Sequence, residues 1–257
     1  MNKRLMFSAA LVMTLLSANA QKRAFTIEDL YRVKGVSSVS LSPDGKTVCY
    51  TASSSDLKNQ KSGSDIYIMN ADGSHTKALT EDGKSSSAVW SKDGKSIFFT
   101  NYEKGTAQIF RMDLTTCETE QVTDYELGIG SPIISPDERY IAFTAEVYPD
   151  LGADAKANKA RMEKKEQGPV QAHIADKLLY RHWTSYNDGR CNHLILFDTQ
   201  TKTYKDLTPG NYSLIFVVGG GITYQFSPDS KEICFVSNHD EHQEASTNAD
   251  LWTVSVN

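Results

Sequence analysis

Four stretches of this chain align without a gap: SPDGKTVCYT from Ser42, SKDGKSIFFT from Ser91, SPDERYIAFT from Ser135 and SPDSKEICFV from Ser227. Nothing else narrows the fold as far, because a recurring unit commits the chain to a repeat architecture. Each copy has a turn, with Asp third and Pro second in three of the four, followed by a short run of β-branched and aromatic residues. Apolar approaches such as Ala88-Val89-Trp90 and Tyr224-Gln225-Phe226 precede the turns, so each copy predicts a hairpin.

A second strand pair follows at a fixed distance. Runs opening at Ile66, Ile109 and Leu194 lead, at one and the same separation, to Leu79, Val122 and Leu207, each followed by a threonine: Thr80, Thr123 and Thr208. Asn70-Ala71-Asp72-Gly73 suits the intervening tight turn. The first three copies start at Ser42, Ser91 and Ser135, matching the period of roughly 40–50 residues that marks four-stranded propeller blades. The expected fold is therefore all-β, a β-propeller of four-stranded antiparallel blades, about four blades forming an incomplete ring. The blades are placed at 36–80, 86–123, 130–208 and 221–257. In the fourth, Leu251 opens the third strand, and the same separation carried forward from it runs past Asn257, so an outer strand is expected to be lacking. A strand supplied by Phe25–Val33 would be the alternative, closing a four-bladed ring.

The third copy breaks the ruler. Ser135 precedes its third strand at Leu194 by more than twice the separation of Ser42 from Ile66, Ser91 from Ile109 or Ser227 from Leu251, so an insertion is expected at 146–177. Ala153 to Glu166 is rich in helix formers and is stopped by Gly168-Pro169, predicting a surface helix. This insertion, with the loops 52–64 and 237–248, should lie on the face opposite the SPDG turns, and loops on a rigid scaffold are where function concentrates.

Composition bounds the rest. With 39% hydrophobic residues the chain is too apolar for disorder, and 27 scattered basic residues against 32 acidic ones give no footprint for nucleic acid. Lys3 and Arg4, the apolar run Leu5–Leu16 and Ala18-Asn19-Ala20 fit a secretory signal peptide cut before Gln21. The expectation is a periplasmic or secreted protein, with 21–35 as a lead-in segment and no membrane association after cleavage. Cys49, Cys117, Cys191 and Cys234 contain no CxxC pair, so neither a zinc nor a redox motif is supported.

His239-Asp240-Glu241-His242, with Glu244 and Asp250, has ligand-type residues, but a solvated acidic loop explains them equally well. Gly219-Gly220-Gly221 precedes a strand rather than a helix, which argues against a phosphate cradle. No GxSxG elbow occurs, so the chain by itself is expected to be non-catalytic, without metal or other cofactor. The richest stretch runs from Tyr180 to Arg190, where Arg181, His182, Trp183, Tyr186 and Asp188 combine rings, a guanidinium and a carboxylate suited to holding a peptide. Anchoring of the insertion on its blade is the competing reading of the same residues.

The lead-in FTIEDLYRVKGVSSVSLSPDGKTVCYT, Phe25 to Thr51, resembles the start of prolyl oligopeptidase-family serine peptidases. KLLYRHWTSYNDGRCNHLILFD, Lys177 to Asp198, resembles the third-blade region of the dipeptidyl peptidase V and acylaminoacyl-peptidase-like branch. The resemblance implies a secreted exopeptidase that releases short peptides from oligopeptide N-termini. In that family an α/β-hydrolase domain bearing a Ser-Asp-His triad follows the propeller, and the active site lies between them. Carried over by position, Arg181, His182, Trp183, Tyr186 and Asp188 become candidates for substrate gating or domain contact. The partners expected are an oligopeptide and a C-terminal hydrolase domain. A stand-alone periplasmic binding propeller of the Tol-Pal type is the alternative reading; its implied preceding α/β domain has no counterpart in the short lead-in between Gln21 and the first strand.

Overall fold

The computed structural model describes residues 23–175, 178, 180–214 and 223–257. The segment 1–20, expected as a signal peptide, and Gly219-Gly220-Gly221 lie outside the described residues. Four sheets follow one another along the chain. The first joins β1 (Gly35–Leu41), β2 (Thr47–Asp56), β3 (Lys61–Asn70) and β4 (Lys77–Ala78) in sequence order. The second joins β5 (Ser85–Trp90), β6 (Ser96–Asn101), β7 (Gln108–Asp113) and β8 (Thr119–Gln121).

The third sheet starts with β9 (Gly130–Ile134) and β10 (Tyr140–Val147). A long excursion follows, containing a helix and the hairpin β11 (Arg181–His182) and β12 (Ser185–Tyr186), before β13 (Cys191–Asp198) and β14 (Thr203–Asp206) complete the sheet. The fourth has three strands, β15 (Tyr224–Phe226), β16 (Glu232–Ser237) and β17 (Asp250–Ser255). Within these four sheets the strands pair antiparallel. Three apolar clusters lie between consecutive sheets: Cys49, Ile66 and Phe99 between the first and second, Phe98, Phe143 and Ile195 between the second and third, Leu194, Tyr224 and Phe235 between the third and fourth. Sheets stacked face to face in chain order are propeller blades, and the all-β expectation holds.

The repeated letters have physical reasons. In every copy the turn serine bonds the aspartate two residues on, at 2.6–2.7 Å, and accepts the amide that opens the next strand, for example Thr47 N–H at 2.9 Å. Position four adopts a left-handed conformation in all four: Gly45, Gly94, Glu138 and Ser230 have φ between 60° and 72°. Glycine does so without strain, whereas Glu138 and Ser230 incur a cost of about 1–2 kcal/mol. Those two side chains compensate by crossing to the preceding blade. Ser230 Oγ accepts the Asp137 N–H at 3.1 Å, and Glu138 accepts the Lys92 N–H. The threonine after each fourth strand has an equally local task. Thr80, Thr123 and Thr208 each accept, at 2.9–3.0 Å, the amide of Ile66, Ile109 or Leu194.

Several expectations are corrected. The supposed loop 52–64 is mostly ladder, since β2 pairs with β3 as far as Asp56 and Lys61. Phe25–Val33 supplies no fourth strand to the last sheet; within it lies α1 (Ile27–Leu30), closed by a capping box between Thr26 and Asp29. Arg23 pairs with both oxygens of Asp29, which holds that carboxyl far below its usual range. The third-blade excursion lies later than 146–177, because Glu146 and Val147 still pair with Asn192 and Cys191 in the ladder. All four cysteines are free thiols, and burial pushes that of Cys49 up to about 12.

Candidate functional site

The excursion from Val147 to Cys191 leaves the connection between the second and third strands of its blade, the end shared with the turn at 57–60 and the loop 238–249. Its helix, α2 (Ala155–Glu166), starts where the Asp154 carboxylate accepts the Ala157 N–H at 3.0 Å. Composition gives this helix no strong apolar stripe, so something else must seat it. Asn158 does so: although helical, it is fully buried. Its Oδ1 accepts the Tyr148 N–H at 2.7 Å, and its Nδ2 donates to the carbonyls of Gly152 (3.0 Å) and Asp154 (2.8 Å). One amide thus satisfies the Tyr148 N–H and the Gly152 carbonyl at the sharp exit from β10, and gives the Asp154 carbonyl a second donor beside the Asn158 N–H. Arg161 then lies 4.7 Å over the Tyr148 ring while pairing with Asp150 at 2.7 Å.

Two open cavities flank α2. One of about 620 Å³ lies between the helix and the second and third blades, with Leu127, Ile129 and Met162 as apolar lining and Glu146, Glu163 and Arg190 among its charged groups. The other, about 690 Å³, lies between the end of α2 and the hairpin, lined by Lys165, His173, Tyr180, Asp188 and Arg190 among others. Arg190 is common to both. Its Nε faces both oxygens of Asp188 at 3.0 Å, and its Nη1 lies 3.1 Å from Glu146. Lys165 donates to the Asp188 carbonyl at 2.8 Å, tying the last turn of α2 to the same point. Burial raises the Tyr148 phenol, with the Asp188 charge acting in the same direction.

The structure separates the five predicted residues. The stretch forms a small hairpin in which Arg181 faces Tyr186 and His182 faces Ser185. Trp183 sits at its turn with φ 50° and is 82% exposed. Arg181 and Tyr186 are also exposed, and the Tyr186 ring stacks on His173 at 4.0 Å; the His182 side chain lies outside the described atoms. Asp188, a candidate for substrate gating or domain contact, already holds the Arg190 guanidinium. Arg190, Asn158 and Met162 also shape the site, and residue pattern alone does not single them out. Arg190 lies two residues from its carboxylate in the Tyr180–Arg190 stretch, whereas Asn158 is one polar letter in a polar helix and carries no signal of burial.

The acidic loop is not assembled as a ligand set. His239 is sandwiched between Tyr212 and Trp252 at 4.0 Å each, and His242 faces Glu244 at 3.2 Å. Among the described residues no group of three His, Cys, Asp or Glu side chains could hold a metal ion. Among them, too, no helix is long and apolar enough to cross a membrane. What the two grooves offer is non-covalent: apolar floor, mixed charge and an oriented guanidinium, the ingredients of a peptide-holding surface.

Comparison with known proteins agrees with this architecture. Dipeptidyl-peptidase 5 of Porphyromonas gingivalis is 29% identical over 269 residues, covering 100% of this chain and 38% of the relative. Peptidase YuxL of Bacillus subtilis, itself uncharacterized, is 25% identical over 236 residues, covering 91% of this chain and 34% of its own. The chain therefore spans between 23% and 38% of the curated relatives it matches. Among solved structures, Pyrococcus horikoshii acylaminoacyl peptidase superposes with a TM-score of 0.61 at 17% identity over 88% of this chain and 31% of that one, a likeness of fold. These relatives bear out the resemblance to prolyl oligopeptidase-family propellers read from Phe25–Thr51 and Lys177–Asp198. The family model described as the TolB beta propeller domain matches residues 18–167, more than half the chain, and this protein belongs to that family.

Proposed function

We propose that this chain is the propeller portion of an exported, dipeptidyl-peptidase-like serine exopeptidase, admitting oligopeptides to an α/β-hydrolase domain that performs the cleavage. In this reading the working face is the one carrying residues 148–190. The observation that carries it is the seating of α2 by the buried Asn158, which keeps a cavity of about 620 Å³ open beside the blade. A cavity of that size suits a few residues of extended peptide. Trp183, Arg181 and Tyr186 project from the neighbouring hairpin, where they would meet an arriving chain or an apposed domain. The Tol-Pal alternative is weaker, because the relatives named above are peptidases over nearly all of this chain.

Titrating unblocked oligopeptides of two to six residues into the isotope-labelled protein tests the reading. Shifts should concentrate in 126–130, 159–166 and 181–190. Peptides that perturb only the opposite, SPDG face, or none of the protein, would overturn it.

A further inference from the structure

One position recurs in each four-stranded blade, directly before the apolar run of the third strand: Asp65, Gln108 and His193. In the first blade the Asp65 carboxylate accepts the Gly83 N–H at 3.0 Å and the Thr80 hydroxyl at 3.1 Å. In the second, Gln108 Oε1 accepts the Tyr125 N–H at 3.0 Å, and its Nε2 donates to the Tyr125 carbonyl at 2.7 Å. Each side chain clamps the connection that leaves its own blade for the next. In the third blade the clamp is an imidazole with no solvent exposure. His193 Nδ1 lies 2.7 Å from Asp206 Oδ2, and Nε2 lies 2.9 Å from the Gly210 carbonyl.

Both partners are acceptors: a carboxylate and a carbonyl. A neutral imidazole carries a single N–H and would leave one of these contacts as a lone pair facing an oxygen, whereas the imidazolium donates to both. We infer that His193 is held as an imidazolium and, with Asp206, forms a buried ionic latch that seats the connection 207–214 between the third and fourth blades. The same Asp206 carboxylate accepts the Thr208 N–H at 3.0 Å, so one anion orders both the latch and the start of the connection. Further along, Leu214 N–H donates to the Asn192 carbonyl at 2.9 Å.

The latch controls more than its own bonds. The seated connection carries Tyr212, the first ring of the Tyr212–His239–Trp252 stack, and Asn211, which lines the groove beside the hairpin. The protonation state of one buried ring is thereby coupled to the arrangement of the working face. Asp206 on β14, the Gly210 carbonyl and Cys191 on β13 face the ring, with Tyr125 of the second-blade connection beside Asp206. Burial alone would favour the neutral form, but Asp206, Cys191 and the Gly210 carbonyl outweigh it and set the ring at about 9. A group raised from 6.5 in this way contributes its full stabilisation below 6.5 and loses it as pH rises through about 9.

Nitrogen NMR of the His193 ring in the intact protein tests the latch. At about pH 7.5 both ring nitrogens should carry protons, with titration two or so units above an ordinary histidine. Amide protection across 207–214, corrected for intrinsic exchange, should fall about tenfold or more over the same range. Asp206→Asn, which leaves burial unopposed by the carboxylate, should bring the titration to about 6.5 or below and loosen the connection at neutral pH. His193→Gln, the second blade's solution, should keep the connection protected and remove its pH dependence. A single neutral tautomer at about pH 7.5, or protection of 207–214 unchanged to about pH 10, would overturn the inference. If either variant fails to fold, the unsubstituted protein's titration decides alone.

Discussion

The Ser230 hydroxyl accepts the backbone N–H of Asp137, 93 positions earlier, and Ser230 holds a left-handed φ of 63° while doing so. The same turn position in the first two blades is glycine, with no side chain to offer. Local strain in the later blades is thus exchanged for a bond between blades. Ser230→Ala keeps the strained conformation and deletes the bond, so it should destabilise by about 1–2 kcal/mol in urea unfolding. Ser230→Gly deletes both and should fall within about 1 kcal/mol of the parent. Equal losses in the two variants would mean that strain and bond do not offset.

The threonine that closes each blade makes a comparable prediction. Thr123→Val retains shape but removes the oxygen that accepts the Ile109 N–H and donates to Gln108. Leaving that buried amide unpaired should cost about 1–3 kcal/mol. Thermal unfolding would register the change, and an unchanged midpoint would show the amide finding another partner.

Asn158→Ala should act locally. It orphans the Tyr148 amide and the Gly152 carbonyl at the base of α2 without touching a blade ladder. Limited proteolysis should then cut within 148–175 well before the blades, while far-ultraviolet circular dichroism of the sheets is retained. Uniform resistance would show that the Arg190 and Lys165 contacts suffice to hold the helix.

Trp183→Ala separates anchoring from binding. At an 82% exposed hairpin turn, its removal should change stability by no more than about 0.5 kcal/mol. If the hairpin meets the incoming peptide, affinity should fall several-fold. A large loss of stability with affinity intact would instead make Trp183 an anchor.

Acid should loosen the turns. Serine hydroxyls, followed by the backbone amides two residues on, hold Asp44, Asp93 and Asp229 below their ordinary 3.8. Groups lowered on folding stabilise above that value and lose their contribution as pH falls through the lower, folded one. Unfolding midpoints should therefore drop below about pH 4, and replacing the three aspartates with asparagine should flatten that slope.

Blade order, strand positions and the helix were legible in the letters because their causes are local. A serine bonds the aspartate two residues away, and a threonine returns 14 residues to its own strand. The hairpin of Arg181 to Tyr186 and the burial of Asn158 were not legible. Two-residue strands have almost no periodicity, and a buried asparagine in a lysine-rich helix is recognisable only from the backbone groups waiting for it.

The sequence by itself determined the repeat and therefore the blades, since each blade's turn chemistry closes within a few residues. It also marked the third-blade excursion through a broken spacing. Tertiary structure alone decided what that excursion does, because α2 is seated by contacts that depend on where β10 ends. It likewise decided the charge of His193: nothing near that letter shows that the residues 13 and 17 positions later present it with two acceptors in a site without solvent exposure. Side chains whose partners lie across a blade take their role from packing, and packing is not written in any single stretch of the chain.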